Sequence, residues 1–483
     1  MEISSKKIIF VQDIYNVKLM KFKKLIDRGA ELERINEALH REDTQFIVIY
    51  GRRRIGKSEL IKCIVKAQHK AIYFLSDTSS ETVQRVAFSK VAASVIDGFD
   101  KVIYPDWETL FRSFNNQLSE RMLVCLDEFP YLVKSCDVLP SIIQKLLNEK
   151  ILKFDLILCG SSQQLMHGYV LNRQSPLYGL ANEIIKMQPI PAQYMSMAME
   201  CDAVQAVEEY AIWGGVPRYW ELRRDYPDKE TAICKVLLDP QGPLIEEPQR
   251  LLRDDMRDTV QASTLLTIIG NGANKLSEIA TRAGKDGSTI SEPLSKLRDL
   301  GYVSREVPFG ESPKKSKKGI YHINDSLLRF HYQFIVPYRS ILELGRMDMV
   351  MQVVLAQLPQ FIGQCWELLC REYVSGNIID GIAYNVASRW WGKIFPPEYK
   401  DGKMVELDVL AESIDKKHIL VGECKWTHDE DADRLMDVLE QKAKYLPFIK
   451  KGQEVHLVLF LKESPTHCAK DMRVFLPSDV MKI

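Results

Sequence analysis

Apolar and polar positions change rhythm several times along this chain. Between residues 46 and 187 four short apolar runs stand out: FIVIY (46–50), AIYFL (71–75), MLVCL (122–126) and LILCG (156–160). Each is rich in strand formers and ends in polar residues or glycine, as buried strands do. Between them lie segments such as SELIKCIVKAQ and VLPSIIQKLLNE, which read as helices. That alternation predicts an α/β fold: a parallel sheet covered by helices on both faces.

From 189 to about 252 the pattern turns helical, interrupted by WGGVPRYW (213–220). Residues 264–323 read as helix, helix, turn, helix and then two strands. The turn is GKDG (284–287), with Ser288 expected to cap the helix running to Leu300. YVSREV and GIYHI flank FGESPKKSKK, a hairpin with a lysine-rich tip. A helical segment follows to about Ser375. From Asn385 onward strands return (VELDVLA, HILVGECKW, EVHLVLFL) around a helix expected over 432–445. No internal repeat is visible.

At 483 residues the chain exceeds what one core supports, so two to four domains are expected. Hydrophobic residues make up 46% and charged residues 27%, an ordinary globular balance. Lysine plus arginine, 65, equals aspartate plus glutamate, 65, so any nucleic-acid footprint has to be local. Ten cysteines include no C-x-x-C pair, and Cys365 and Cys370 lack a second pair with zinc-site spacing; they read as buried reduced thiols. With no signal peptide and no membrane-spanning run, cytoplasmic residence and no membrane partner are expected. Residues 1–19 precede a second methionine, Met20, and read as an extension: an arm, an added strand or an upstream start.

GRRRIGKS comprises Gly51, Arg52, Arg53, Arg54, Ile55, Gly56, Lys57 and Ser58, and fits G-x-x-x-x-G-K-S/T at every fixed position. It follows a strand and opens a helix, the context a phosphate-binding loop requires. Loop amides and the helix N-terminus can bind phosphate oxygens, Lys57 adds a mobile positive charge, and Ser58 is placed to ligate magnesium. MLVCLDEF ends a strand in Asp127 and Glu128, where parallel sheets bind ligands. Asp127 would hold magnesium through water and Glu128 would polarise the attacking water. Two solvated acids at a strand end are the bland alternative, and alone it would win. Ser161 and Ser162 reach the same edge, where one could sense the γ-phosphate. ATP and Mg2+ are the implied cofactors.

KLIDRGAELERI, GRRRIGKS, LDEFPYL, GSSQQLM, SPLYG and IWGGVPRYW together resemble the archaeal-type ATPase family, which lies near the AAA+ and STAND groups of P-loop proteins. The likeness implies that Asp27 and Arg28 lie near the adenine. It also implies that WGGVPRY, with Gly215, Val216 and Pro217, is a lid motif from which Arg218 could reach the phosphates. Relatives usually carry arginine after the glycine of SPLYG, whereas Leu180 and Ala181 follow Gly179 here. That arginine finger is absent, and Arg173 is a candidate substitute on this chain. Hydrolysis is then expected to be slow, or to need an arginine from a protein partner or a second copy.

The helix, turn and helix over 276–300 have the size of a DNA-reading unit. Lys296 and Arg298 lie on its second helix, and Lys314, Lys315, Lys317 and Lys318 crowd the wing tip, where they could neutralise DNA phosphates. A packing module with a solvated hairpin tip is the equal alternative. Further on, VELDVLA carries Asp408, LVGECKW carries Glu423 and Lys425, and a preceding helix carries Glu367. Strand alternation sends Glu423 and Lys425 to one face and Cys424 to the other. This constellation resembles the PD-(D/E)XK nuclease fold, with Leu407 in place of its proline. The resemblance implies a Mg2+ or Mn2+ ion shared by Asp408 and Glu423, Glu367 approaching it, and Lys425 orienting water. Gln441 and Tyr445 resemble the Q-x-x-x-Y element of the RecB-like branch and would contact a DNA strand.

The expected division is an extension (1–19), a P-loop ATPase core (20–188), a helical lid (189–252), a winged helix (253–340) and a restriction-endonuclease-like α/β domain (341–483). Three functions compete. The first is an ATP-dependent DNA-acting enzyme with a metal-dependent nuclease. The second is a STAND-like switch whose C-terminal domain only binds DNA or protein. The third, a chaperone-like remodeller, has the least support.

Overall fold

The computed structural model describes residues 25–256, 258–466 and 472–483; the extension read at residues 1–19 lies outside them. The chain forms two compact units. The first holds the described residues up to Ile190 together with Val216–Arg218, and the second holds Pro191–Gly215 and Tyr219–Ile483.

The first unit is built on strands β1 (Phe46–Tyr50), β2 (Ala71–Leu75), β3 (Met122–Asp127), β4 (Phe154–Gly160) and β5 (Glu183–Lys186). All pair in parallel, in the order β2-β3-β4-β1-β5. Burial follows position in the sheet. β3 and β4 are buried along their whole length, so they read as unbroken apolar runs. β5, at an edge, alternates buried and exposed and gives a weaker signal. Phe88 sits among the rings of Phe74, Trp107, Phe111 and Phe114, with centroids 5.5–6.0 Å away and edge-to-face geometry. The strand order brings the C-terminal ends of β1, β4 and β3 side by side. Helices α1 (Gly29–Leu39) and α2 (Lys57–Ala67) flank β1 in sequence.

The second unit contains a winged helix: α3 (Leu276–Ala283), α4 (Gly287–Asp299) and the antiparallel strands β6 (Val303–Glu306) and β7 (Ile320–Ile323). Asp286, not Ser288, takes the N-cap position of α4. Ser288 falls inside the first turn because the helix already starts at Gly287. The wing loop is tied to β6 by Arg305, whose guanidinium donates to the carbonyls of Pro313 and Ser316, both at 2.7 Å.

Beyond the wing, α5 (Met347–Val374) runs for 28 residues. It packs on a mixed sheet of β8 (Ser388–Ile394), β9 (Lys403–Glu412), β10 (His418–Lys425), β11 (Glu454–Leu461) and β12 (Arg473–Phe475), in that order. β8, β9 and β10 are antiparallel neighbours, while β10, β11 and β12 are parallel. Trp366 of α5 is fully buried and donates its indole N–H to the Phe460 carbonyl, fixing the helix over the sheet. Helix α6 (Ala432–Ala443) covers β10 and β11 and ends two residues earlier than its pattern predicts, so Tyr445 lies just beyond it. Among the described residues no helix is long and apolar enough to cross a membrane.

Candidate functional site

The loop after β1 owes its path to glycine. Gly51 has φ +151°, and a Cβ there would stand 2.6 Å from the Met187 carbonyl oxygen. Gly56, at φ +94°, turns the loop into α2. Lys57 is buried, and its Nζ donates to the carbonyls of Gly51 (3.0 Å) and Arg52 (2.9 Å), which holds the ammonium over the loop. Arg28 is buried as well. Its Nη2 donates to the Ile55 carbonyl at 3.2 Å and to the Gln188 carbonyl at 2.9 Å, so it braces the loop from below. Its neighbour Asp27 adopts φ +49°. Arg218 stands in the first turn of helix Pro217–Arg224, within the first unit.

Asp127 ends β3 fully buried, and three donors converge on its carboxylate. Ser58 Oγ and Tyr73 Oη each donate to Oδ2 at 2.7 Å, and the Glu128 amide donates to Oδ1 at 2.9 Å. Burial and the Asp127 carboxylate push the Tyr73 phenol well above its usual range, so Tyr73 stays protonated and donates to Asp127. Glu128 adopts φ +53° and turns its carboxylate to β4, where Ser161 Oγ donates to Oε2 at 2.9 Å. The two serines thus divide: Ser161 faces Glu128, while Ser162 accepts from the Leu165 amide at 3.3 Å and caps the helix Gln163–Met166. Tyr73 was invisible in the sequence, since one tyrosine in an apolar strand carries no spacing signal.

In the second unit β9, β10 and α5 gather Asp408, Glu423, Lys425 and Glu367. Asp408 Oδ2 accepts from the Cys424 amide at 2.8 Å, which joins the two strands through the acid itself. Lys425 Nζ donates to Glu423 Oε1 at 2.9 Å, and Lys442 of α6 donates to Oε2 at 2.8 Å. Burial, then the charge of Glu423, raises the Asp408 carboxyl above its usual range. Burial, then the charge of Asp408, pushes Glu367 up to about 7. Burial works against the Lys425 charge, but Glu423 more than offsets it and raises its pKa. Cys424 is buried, as strand alternation predicts. Lys442 of α6 is a further side chain that reaches this group, while Gln441, expected to contact a DNA strand, is exposed.

Arg371, one turn beyond Glu367, donates to the Asp408 carbonyl at 3.0 Å and lies 3.8 Å from Glu367 and 3.6 Å from Glu306 of β6. Arg389 lies 3.7 Å from Glu306 and pairs with Glu406. None of these arginines has a motif that marks it in the sequence. In the winged helix, Lys296 pairs with Glu292 at 3.1 Å, Arg298 lies 3.8 Å from Asp299, and Lys318 pairs with Glu311 at 2.7 Å. Lys314, Lys315 and Lys317 are exposed at the wing tip.

A parallel sheet, a glycine-turned loop carrying a buried lysine at a helix start, and a serine-bound acid at the end of β3, one strand removed from β1, define a nucleotide-binding P-loop ATPase. Residues 25–221 match the family described as an ATPase domain predominantly from Archaea. Residues 331–436 match a second family, described as archaeal and bacterial proteins of unknown function. The uncharacterized protein MJECL04 of Methanocaldococcus jannaschii is 29% identical over 432 residues, covering 87% of this chain and 92% of that one. Similar solved structures include Aeropyrum pernix ORC1 in complex with DNA, at 17% identity and TM-score 0.35, covering 66% of this chain and 94% of that chain. Aeropyrum pernix ORC2 in ADPNP–ADP complexes is similar at 12% identity and TM-score 0.43, covering 69% and 96%.

Proposed function

We propose that the protein is an ATP-dependent, DNA-acting enzyme. In this reading an ATPase core (20–188) and helical lid (189–252) serve a DNA-binding winged helix (253–340) and a metal-dependent deoxyribonuclease domain (341–483). The observation that carries the nuclease reading is the convergence of Glu367, Asp408, Glu423 and Lys425 from α5, β9 and β10. Two of the three carboxyls are pushed upward by burial and by a neighbouring carboxylate, a donor set suited to a hard divalent cation. Asp408, Glu423 and Glu367 would hold Mg2+ or Mn2+, which would supply Lewis acidity towards a phosphodiester. Lys425 would donate to the charge that develops as water adds and one P–O bond breaks.

In the ATPase core Ser58 and Asp127 would hold magnesium, and their 2.7 Å contact supports a shared role. Lys57 would bind the phosphates, with Arg28 and Asp27 towards the base and Arg218 towards the phosphates. Glu128 would orient the attacking water, and Ser161 would exchange Glu128 for the γ-phosphate.

The test is cleavage of plasmid or linear DNA by purified protein with Mg2+ or Mn2+. Asp408→Ala and Lys425→Ala should each abolish it; equal cleavage by these variants would assign the activity to a contaminant and end the nuclease reading. A second reading, a STAND-like switch that binds DNA or protein without cutting, is favoured by Leu180 and Ala181 after Gly179, where the family resemblance leads one to expect arginine. An arginine supplied by a partner or a second copy would then speed hydrolysis. That reading predicts tight ATP binding, slow turnover and no cleavage under any metal.

A further inference from the structure

The sheet of the second unit has a second chemistry-bearing edge, at the opposite end of β10 from Glu423 and Lys425. His418 opens β10 and Glu454 opens the parallel neighbour β11, and they stand in register, as do Leu420 and His456. Glu454 and His456 are two residues apart on one strand, so their side chains share a face with His418. His418 Nδ1 lies 3.0 Å from His456 Nε2 and 3.4 Å from Glu454 Oε2, and His456 Nε2 lies 3.9 Å from Glu454 Oε1.

We infer that His418, Glu454 and His456 form a binding site for a borderline divalent transition-metal ion such as Zn2+. A four-coordinate zinc with N and O ligands at about 2.0–2.2 Å spaces its donors about 3.3–3.5 Å apart. The nitrogen–nitrogen separation is 3.0 Å and each imidazole's nearest Glu454 oxygen stands at 3.4 or 3.9 Å, so a shared oxygen needs only a small turn of the exposed Glu454 carboxylate. Two imidazoles and one carboxylate suit Zn2+, Ni2+ or Cu2+ and are a poor set for Mg2+, which prefers oxygen. Three protein donors leave a fourth position to water. The histidines are partly buried while Glu454 is largely exposed, so an ion could enter from solvent along the glutamate. The backbone under His418 is fixed in advance: its amide donates to Ser413 Oγ at 3.0 Å and its carbonyl accepts from the Ser413 amide at 2.9 Å. His418 and Glu423 lie five residues apart along one strand, about 16 Å, so one ion cannot serve both groups. Bound metal would clamp the starts of β10 and β11 together.

The experiment is titration of Zn2+ and Co2+ into the chelator-stripped full-length protein, read by equilibrium dialysis, by the visible spectrum of Co2+ and by thermal melting. Wild type should bind one ion at this group, beyond any held by the Asp408 carboxylate site, with a four-coordinate Co2+ spectrum, and its melting temperature should rise with Zn2+. His456→Ala should bind one ion fewer and lose both signals. Glu454→Gln alters an exposed side chain, keeps the fold, and should weaken binding at least tenfold. Asp408→Ala should leave this ion in place. Equal ion counts in wild type and both site variants would overturn the inference, as would loss of the ion in Asp408→Ala. Absence of binding by wild type would leave a plain imidazole–imidazole hydrogen bond and refute the site.

Discussion

Arg371 and Glu306 stand 3.6 Å apart, one on the helix that carries Glu367 and the other on the first strand of the wing hairpin. Glu306 also faces Arg389, and both arginine side chains are largely buried, so one carboxylate offsets two guanidinium charges. Glu306→Gln removes that offset while keeping the shape. It should destabilise the second unit by on the order of 2 kcal/mol and lower its melting temperature by several degrees. An unchanged melting curve would show that the arginines are balanced by Glu367 and Glu406 alone.

The raised Glu367 carboxyl makes stability depend on pH. Its folded pKa, about 7, lies above the ordinary 4.5, so the native state holds the proton more tightly than the unfolded chain. The contribution is fully present below about 4.5 and is lost as pH rises through about 7, with a ceiling of roughly 3 kcal/mol. In EDTA, urea midpoints of wild type should fall across that window, while those of Glu367→Gln stay flatter. Saturating Mg2+ should flatten the wild-type curve, because a bound cation favours the ionised acid. Parallel curves for the two proteins would remove Glu367 as the cause.

At the nucleotide site two substitutions should separate binding from turnover. Lys57→Ala deletes the buried ammonium and should abolish ATP binding in a fluorescent-nucleotide titration. Glu128→Gln keeps size and hydrogen bonding but not basicity, so it should bind ATP normally and hydrolyse it about 10²–10⁴-fold more slowly. Wild-type binding by Lys57→Ala would make the loop reading wrong.

The wing lysines should differ among themselves. Lys318 is already paired with Glu311, whereas Lys314, Lys315 and Lys317 project from the tip. Replacing those three with alanine should weaken DNA binding and reduce the dependence of log K on log salt by roughly one per lysine engaged. The Lys318→Ala change should be smaller. A salt slope that survives the triple change would move the DNA surface elsewhere.

The sequence was most legible where structure writes contiguous signals. The buried strands β1, β3 and β4 need apolar residues on both faces, and the phosphate loop keeps its glycines, lysine and serine within eight positions. Pairings across elements left no trace. Tyr73 reaches Asp127 from a neighbouring strand, Lys442 reaches Glu423 from a helix, and Arg371 meets Glu306 across distant segments. Each is one polar residue in an otherwise ordinary pattern. Helix ends were misread where two cap-forming residues compete: Asp286 and Ser288 both qualify by type, and only the backbone decides between them. The histidine–glutamate group at the strand starts needs the β10–β11 register, because His418 and His456 are 38 residues apart.

The hydrogen bond from Ser161 to Glu128 has a kinetic consequence. A serine hydroxyl reorients by side-chain rotation, on a timescale of about picoseconds to nanoseconds, whereas enzyme cycles typically last milliseconds to a second. If Glu128 orients the attacking water as proposed, releasing it from Ser161 between rounds costs almost no time, and the pace of turnover would be set by a slower event such as chemistry, lid motion or product departure.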